Sequence, residues 1–463
     1  MAAAISSLAL GKLLQTMFSN GVRYQLSRDH RDWDMIKQWK VSDAKGRALD
    51  YLLQTSGGPA AIQYRNANQT AGSGFSSSAT FPAAQRVTTQ ELEAEYKEID
   101  MTIEIDYNLW KRLQKSPDRR YFDSLALEMQ SKMDMAKRRD CADLYGSGSG
   151  VVGTCSATNA VSGGNVVFTL SSSNTAEGHV GFFEKNDILV LKTAAGGTSA
   201  FDSNLATEPA YWLVVNRDRR NNTVTLQGLD STLTAVTVAS ITTPTTAGDV
   251  FYRYGQPTIP NLSSISDWGF ATEVKTGLES LSANDGRTVN GLVMSGFTGG
   301  SRFDAGAVNI DLSHYESALN DAKIAVGEGA YSYKRGIMAP ETHSSFVESR
   351  ETDRRFATME DAKRGTKVFG YQHRQDFVES YVTEYCPKNR IYMIPEVKGN
   401  QNKVIEYYGS DYETVKVNDS SEFMLKTSSN GYERKVQTFM EAYGNFIVNH
   451  PAAIAVIHNF TIA

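Results

Sequence analysis

Glu98-Ile99-Asp100-Met101-Thr102-Ile103-Glu104-Ile105, followed by Ser116-Pro117 and then by Phe122, Leu125, Met129, Met133 and Ala136 up to Gly146, is the stretch on which the fold turns. Its first half alternates apolar and polar residues with period two, the pattern of a strand with one buried face. Its second half steps by three or four, with Ser116 as N-cap and Pro117 at the first helical position, and so predicts a helix. Roughly 28 residues at 1.5 Å each make it about 40 Å long, the dimension of a rigid spine rather than of an ordinary globular helix.

Toward the N-terminus the text loses its core. The first residues, MAAAISSLALGKLLQTMF, lack a basic leader, and Leu8, Leu13, Leu14 and Phe18 keep helical spacing, so they read as an amphipathic arm and not as a signal peptide. Polar, charged text such as Ser27-Arg28-Asp29-His30-Arg31-Asp32 continues the arm to about residue 50. A short strand pattern at Ala60 to Asn66, a tip of small residues from Thr70 to Ser78 and the return into Ile105 read together as a two-stranded projection. Its outer half has too few apolar residues to be stable alone.

Toward the C-terminus the charge falls abruptly. Residues 106–145 carry 16 Asp, Glu, Lys and Arg, whereas residues 151–260 carry 14 in nearly three times the length. The second span is rich in Thr, Ser, Gly and Val, with short strand patterns at Val166–Leu170, Asp187–Lys192, Tyr211–Val215, Thr223–Leu226 and Asp249–Tyr254, a small all-β domain. From about residue 259 the pattern is mixed. A helix capped by Asp311 or Ser313, with Ser313 and Glu316 at capping-box spacing, precedes a strand at Gly336–Ala339 and a helix from Glu341. Strands follow around Val368, Val378 and Ile391–Ile394, and the apolar end, Ala452 to Ile462, returns to an interior sheet.

Composition excludes several classes. With 463 residues, 41% hydrophobic and 21% charged, the chain is globular and large enough for about three folding units. A net charge of −5 rules out a dedicated nucleic-acid gripper. Three cysteines give no disulfide framework, and seven histidines never form an HxH or HxxxH pair, so neither a metal nor any other cofactor is expected. No window reaches the eighteen apolar residues of a membrane helix, and no membrane partner is expected.

The motifs that carry chemistry elsewhere do not carry it here. Gly148-Ser149-Gly150-Val151-Val152-Gly153 matches G-x-G-x-x-G, but it follows a helix and precedes β text, the reverse of a dinucleotide site, and reads as a helix stop. Ser295 lacks the glycine two residues before a hydrolase nucleophile. Cys386, pairable on paper with His373, lies in a plain turn and reads as structural. Asn216 to Asn222, between two strands, reads as a solvated hairpin turn rather than a nucleic-acid patch. The acidic series Glu91, Glu93, Glu95, Glu98, Asp100, Glu104 and Asp106 is read as charge complementary to basic text on another subunit, such as Lys111, Arg112, Arg119, Arg120 or Lys137 to Arg139. No catalytic, cofactor-binding or metal residue is assigned, and the chain is not expected to be an enzyme.

The order of these parts resembles that of the major capsid proteins of tailed bacteriophages, the Hong Kong 97-like fold shared with encapsulins. The residues that carry the resemblance are the strand ending Ile99 to Ile105 and the helix from Ser116 into Leu144-Tyr145-Gly146-Ser147-Gly148. Asp311-Leu312-Ser313, Gly336-Ile337-Met338-Ala339-Pro340 and Val368-Phe369-Gly370-Tyr371 add to it. It implies an α+β fold with an N-terminal arm at 1–50, an extended loop at 51–105 and the spine helix of the peripheral domain at 106–150. An inserted β domain at 151–258, a return to the peripheral domain at 259–310, an axial domain at 311–430 and C-terminal strands at 431–463 complete it.

The implied function is that of a structural subunit of an icosahedral capsid, self-assembling in the host cytoplasm into the shell around double-stranded DNA, which it touches only non-specifically. The implied partners are other copies of the chain in hexamers and pentamers, a separate scaffolding protein, a portal and a decoration protein. Some capsids of this type are cross-linked by an isopeptide bond from a loop lysine. This chain has no lysine between Lys45 and Lys97, only Arg47, Arg65 and Arg86. The alternatives are an encapsulin-like shell and a carbohydrate- or receptor-binding protein built on the β domain; a hydrolase lacks any converging acid, base and nucleophile.

Overall fold

The computed structural model describes residues 37–40, 48–56, 88–108, 111, 134–148, 150–162, 164–171, 179–192, 209–230, 232–236, 249–253, 275–284, 288–289, 292–295, 301–327, 331–348, 370–373, 376–397, 404–409, 413–414, 424–428 and 431–462. The strand pattern at Ala60–Asn66, the small-residue tip, Ser116 with the first turns of the predicted helix, and most of the N-terminal arm lie outside these.

The strands β2 (Ala48–Ser56) and β3 (Thr88–Glu95) pair antiparallel as a two-stranded ribbon. The chain then breaks at Tyr96 and crosses into another sheet as β4 (Lys97–Asp106). This corrects the reading of 51–105 as one two-stranded unit. The alternating stretch Ile99 to Ile105 pairs antiparallel with β22 (Gly431–Val448), where Ile99 stands opposite the buried Ala442 and Ile105 opposite the buried Val436. An eighteen-residue strand supplies a longer partner than the ribbon does, and the apolar alternation of β4 matches it. The other strands on β22 are β19 (Ile405–Gly409), β20 (Glu413–Thr414) and β21 (Met424–Ser428), and β1 (Lys37–Lys40) adds to β19 in parallel. Four residues assigned to the arm are thus part of this sheet.

Residues 134–144 form helix α1, which ends at the predicted place, with Tyr145 and Gly146 already in the turn. Gly148 and Gly150 both have φ of +76°, the left-handed region in which glycine alone is unstrained, so they reverse the chain out of the helix. The chain then enters β5 (Val151–Ser162), a strand that the glycines hid from sequence reading.

This strand opens a small antiparallel barrel with β6 (Asn165–Leu170), β7 (Ile188–Lys192), β8 (Tyr211–Asp218), β9 (Thr223–Leu229) and β11 (Val250–Arg253). The strand order β9-β6-β5-β11-β7-β8 closes because β8 pairs back onto β9, and β10 (Ala235–Val236) extends β9 at one end. Closure leaves no free edge along these six strands. Every second residue of β6 is buried, and Phe168 meets Trp212 and Phe251 edge to face at ring separations of 5.1 and 5.2 Å.

The third large sheet is mixed, in the order β14 (Ser301–Asp304), β23 (Ala455–His458), β18 (Arg390–Val397), β15 (Tyr331–Met338), β17 (Asp376–Val382), β16 (Gly370–His373). Helix α3 (Leu312–Val326) covers one face, burying Tyr315, Ala318, Leu319 and Ala322 against Tyr333, Ile391, Met393 and Ile457. The capping box is Asp311 with His314, not Ser313 with Glu316: His314 Nδ1 accepts from the Asp311 N–H. Helix α4 (Pro340–Glu348) follows β15, the short helix α2 (Leu278–Leu281) precedes the sheet, and β12 (Thr288–Val289) and β13 (Leu292–Val293) make a small hairpin. The strands do not follow the linear division into 259–310, 311–430 and 431–463. β14 pairs in parallel with β23, whereas β19, β20 and β21 belong with β22 in the other sheet. Parallel and long-range pairings of this kind leave no local pattern in the sequence.

Candidate functional site: a charged joint at the centre of the chain

The second face of the mixed sheet belongs to a second buried cluster, shared with α1 and the barrel. Ile337, Tyr392 and Val456 of the sheet share one buried cluster with Cys141, Leu144 and Tyr145 of α1 and with Val166, Phe168, Trp212 and Phe251 of the barrel. Around this apolar centre lies a set of ion pairs that join the parts.

The end of α1 is clamped first. Lys275 and Asp140, each 1% exposed in its side chain, form an ion pair, with the Lys275 ammonium 5.2 Å above the Tyr407 ring. Burial alone lowers the Lys275 pKa, but Asp140, Tyr407 and Asp143 outweigh it and push the group up to about 12, so it stays charged. Thr276 donates its backbone N–H to Asn445 of β22 at 2.9 Å. Gly277 fits because it has no side chain: a Cβ there would run into the carbonyl oxygens of Asp143 and Gly146. Arg253, the last residue of β11, bonds Asp143 at 3.3 Å, Asp187 at 3.4 Å and the Phe182 carbonyl at 2.7 Å.

Glu279 of α2 fixes the next join. Its carboxylate takes Arg302 of β14 at 2.5 Å, Arg390 of β18 at 3.4 Å and the Tyr392 hydroxyl at 2.8 Å. Burial raises its pKa, yet the two guanidiniums and these hydrogen bonds prevail and hold it below the usual carboxylate range.

The third join corrects the reading of Asn216–Asn222 as a solvated turn. Its tip is exposed, with Asp218 accepting from Arg220 and Asn221. Arg217 and Arg219, however, are only 15% and 18% exposed. Arg219 grips Glu341 of α4 through both oxygens, at 2.9 and 3.0 Å, and donates to the Glu384 carbonyl. Arg217 reaches the Glu384 carboxylate at 2.8 Å and the carbonyls of Gly181 and Phe183. Lys388 returns a bond to the Arg219 carbonyl, and the Tyr385 hydroxyl bonds Glu184 at 3.4 Å.

Within this joint His179 accepts from the Gly181 N–H on Nδ1 and donates from Nε2 to the Tyr385 carbonyl at 2.7 Å, which sets its tautomer. Burial, then the nearby Arg219, bring its pKa down to about 3. The signal available in the sequence was spacing: two arginines two residues apart at a strand end share one face, which a turn in water does not require.

These contacts hold parts in position. They include no arrangement of nucleophile, base and oxyanion donors. Ser295 is exposed beyond the β13 strand. Cys386 is fully buried, its sulfur 3.6 to 3.8 Å from the carbonyls of Ile337, Pro387 and Arg390. Gly148 to Gly153 turns the chain and enters β5. Among the described residues, no cluster of three or more His, Cys, Asp or Glu is placed to hold a metal ion, and no helix is long and apolar enough to cross a membrane. Of the acidic series, Glu91 and Glu93 stand opposite Leu52 and Asp50 in the ribbon, and Glu98, Asp100 and Glu104 lie in β4. Of the basic text Lys111 is exposed, Lys137 and Arg139 are half-buried and Arg138 is buried; Arg112, Arg119 and Arg120 lie outside the described residues.

No protein-family model matches the chain, and no curated protein matches it in sequence. Several solved structures are similar to it along nearly the whole chain. One is the capsid asymmetric unit of cyanophage A-1(L), with a TM-score of 0.46 and 8% identity over 96% of this chain and 98% of that one. Mycobacterium phage Bobi gives a TM-score of 0.41 and 6% identity over 100% of both chains. The holo-SrpI encapsulin complex from Synechococcus elongatus gives a TM-score of 0.38 and 8% identity over 98% of this chain and 95% of that one. The solved structures to which this chain is similar thus include a phage capsid and an encapsulin.

Proposed function

We propose that the chain is the repeating structural subunit of an icosahedral capsid of the tailed-phage type, assembling with further copies of itself around double-stranded DNA. The ribbon carries this reading. Among the described residues β2 and β3 pair only with each other, and a two-stranded sheet is marginal in water without a further surface to lie on. Its register also sets Asp50 directly opposite Glu93, a like-charged pair that a basic surface on another copy would relieve. A chain with such a projection around a rigidly clamped centre is suited to holding neighbours in place rather than to turning over a substrate.

In this reading the mixed sheet with α3 and α4 is the axial part, the β22 sheet with α1 is the peripheral part, and the barrel is the inserted domain. A scaffolding protein, a portal and a decoration protein are the expected further partners, and the virion the expected location. The barrel interior is filled by side chains such as Phe168, Trp212 and Phe251, so in the alternative of a carbohydrate- or receptor-binding β domain the ligand would meet the barrel's outer surface.

The test is electron microscopy and sedimentation of the purified chain, alone and co-expressed with a candidate scaffolding protein. Closed shells or capsomer-like rings are expected. A chain that stays monomeric near 50.9 kDa under both conditions would overturn the proposal. Shells filled with a co-purifying cargo protein in place of DNA would favour the encapsulin-like alternative.

A further inference from the structure

Composition alone describes the barrel as a separate, inserted all-β domain. The contacts describe something else. The barrel and the mixed sheet share a single buried cluster, to which the barrel gives Phe182 and Phe183 and the sheet with its β17–β18 turn gives Ile337, Tyr385 and Tyr392. Their backbones approach so closely that a Cβ on Gly181 would strike the Glu384 carbonyl oxygen.

Around that contact, five barrel residues (His179, Gly181, Glu184, Arg217 and Arg219) face four residues of α4 and the β17–β18 turn: Glu341, Glu384, Tyr385 and Lys388. Arg217 and Glu384 are paired to each other, as are Arg219 and Glu341, and the residual donors of both arginines go to backbone carbonyls. An interface that moved in use would leave these partly buried charges unpaired in one of its positions, which is costly. Arginine's planar fork, bidentate on Glu341, also fixes an angle and not merely a distance.

We infer that the barrel is an internal brace, docked on the mixed sheet so that the two fold and move as one body, with Arg217 and Arg219 as the positioning residues of the joint. The role assigned to the inserted domain is therefore mechanical. It sets the angle between α1, which it grips through Arg253 and Asp143, and the mixed sheet, which it grips through the two arginines. The inference does not depend on the capsid reading, since it concerns a single copy of the chain.

Hydrogen exchange of the full-length, unassembled chain, read by mass spectrometry on peptides from β6 and β9 of the barrel and from β15 and β18 of the sheet, tests it. The four strands are expected to exchange through one opening with a common protection factor. Arg219→Ala is expected to lower protection in barrel and sheet together, by about tenfold to a hundredfold, whereas Arg220→Ala, at the exposed neighbouring position, changes neither.

Arg219→Lys, which keeps the charge and loses the fork, is expected to fall between them and covers the case in which the alanine variant does not fold. Combined with Glu341→Ala, Arg219→Ala is expected to be clearly less than additive. The inference is overturned if the barrel and sheet peptides exchange with separate protection factors in the unmodified chain. It is equally overturned if the Arg219 variants loosen one of the two regions alone or neither.

Discussion

Mild acid is expected to loosen this protein through His179. In the folded chain the imidazole is neutral, with a pKa near 3, because its enclosure and the nearby Arg219 and Lys388 outweigh the Tyr385 carbonyl and Glu341, which act the other way. Unfolded, it titrates near 6.5. Below that pH the unfolded state binds a proton that the folded state refuses, so stability falls as pH drops from 6.5 toward 3 and is fully present above 6.5. One group contributes about 1.4 kcal/mol per pH unit in this window, or about 2 kcal/mol lost by about pH 5.

The assay is urea unfolding of the unassembled chain at about pH 7.5 and about pH 5, for the unmodified protein and for His179→Gln. The variant's absolute stability is immaterial; what is compared is the change between the two pH values. His343, His450 and His458, whose pKa values burial also lowers, act equally in both proteins and cancel. The unmodified chain is expected to lose about 2 kcal/mol more than the variant on acidification. Equal losses in the two proteins would refute the reasoning, because they would show that His179 takes up its proton in the fold.

Three further outcomes are expected. Asp140→Ala leaves the Lys275 ammonium buried without its carboxylate and is expected to cost about 3 to 5 kcal/mol, while the double variant Asp140→Leu/Lys275→Met recovers most of it, as read from denaturation midpoints; a single variant within about 0.5 kcal/mol of the unmodified chain would contradict the buried pair. Gly277→Ala drives a methyl into two backbone carbonyls that cannot swing away and is expected to destabilise by about 1 to 3 kcal/mol, whereas a neutral result would mean that α1 is not seated on this turn. Assembled particles boiled in detergent without reductant are expected to run as single chains near 50.9 kDa, because no lysine lies between Lys45 and Lys97 and all three cysteines are buried and free; a ladder of higher rungs would disprove it.

Much of the local structure was legible in the residues, for a physical reason. Period and capping act over a few residues, so Val166 to Leu170, Tyr211 to Val215, the end of α1 at Gly146 and the helix after Asp311 could be found from neighbours alone. The glycine-rich opening of β5 was missed because glycine weakens the strand signal while its positive φ values serve the turn before it. The candidate site was almost wholly hidden. Arg217, Arg219, Glu341 and Glu384 are ordinary surface charges in sequence, and beyond the two-residue spacing of the arginines nothing in their local text marks them as partners.

The sequence by itself determined most of the strands and helices in the barrel and the mixed sheet, because those depend on propensity and on the spacing of apolar residues along the chain. Only the tertiary structure decided that Ile99 to Ile105 pairs with the C-terminal strand β22 rather than within the β2–β3 ribbon, and that β8 returns to β9 to close a barrel. It alone decided, too, that a polar turn of that barrel is the clamp on the mixed sheet. Pairing across long sequence separations is settled by which complementary surfaces meet when the whole chain collapses, and a charge becomes a joint only when burial removes the water that would otherwise have solvated it.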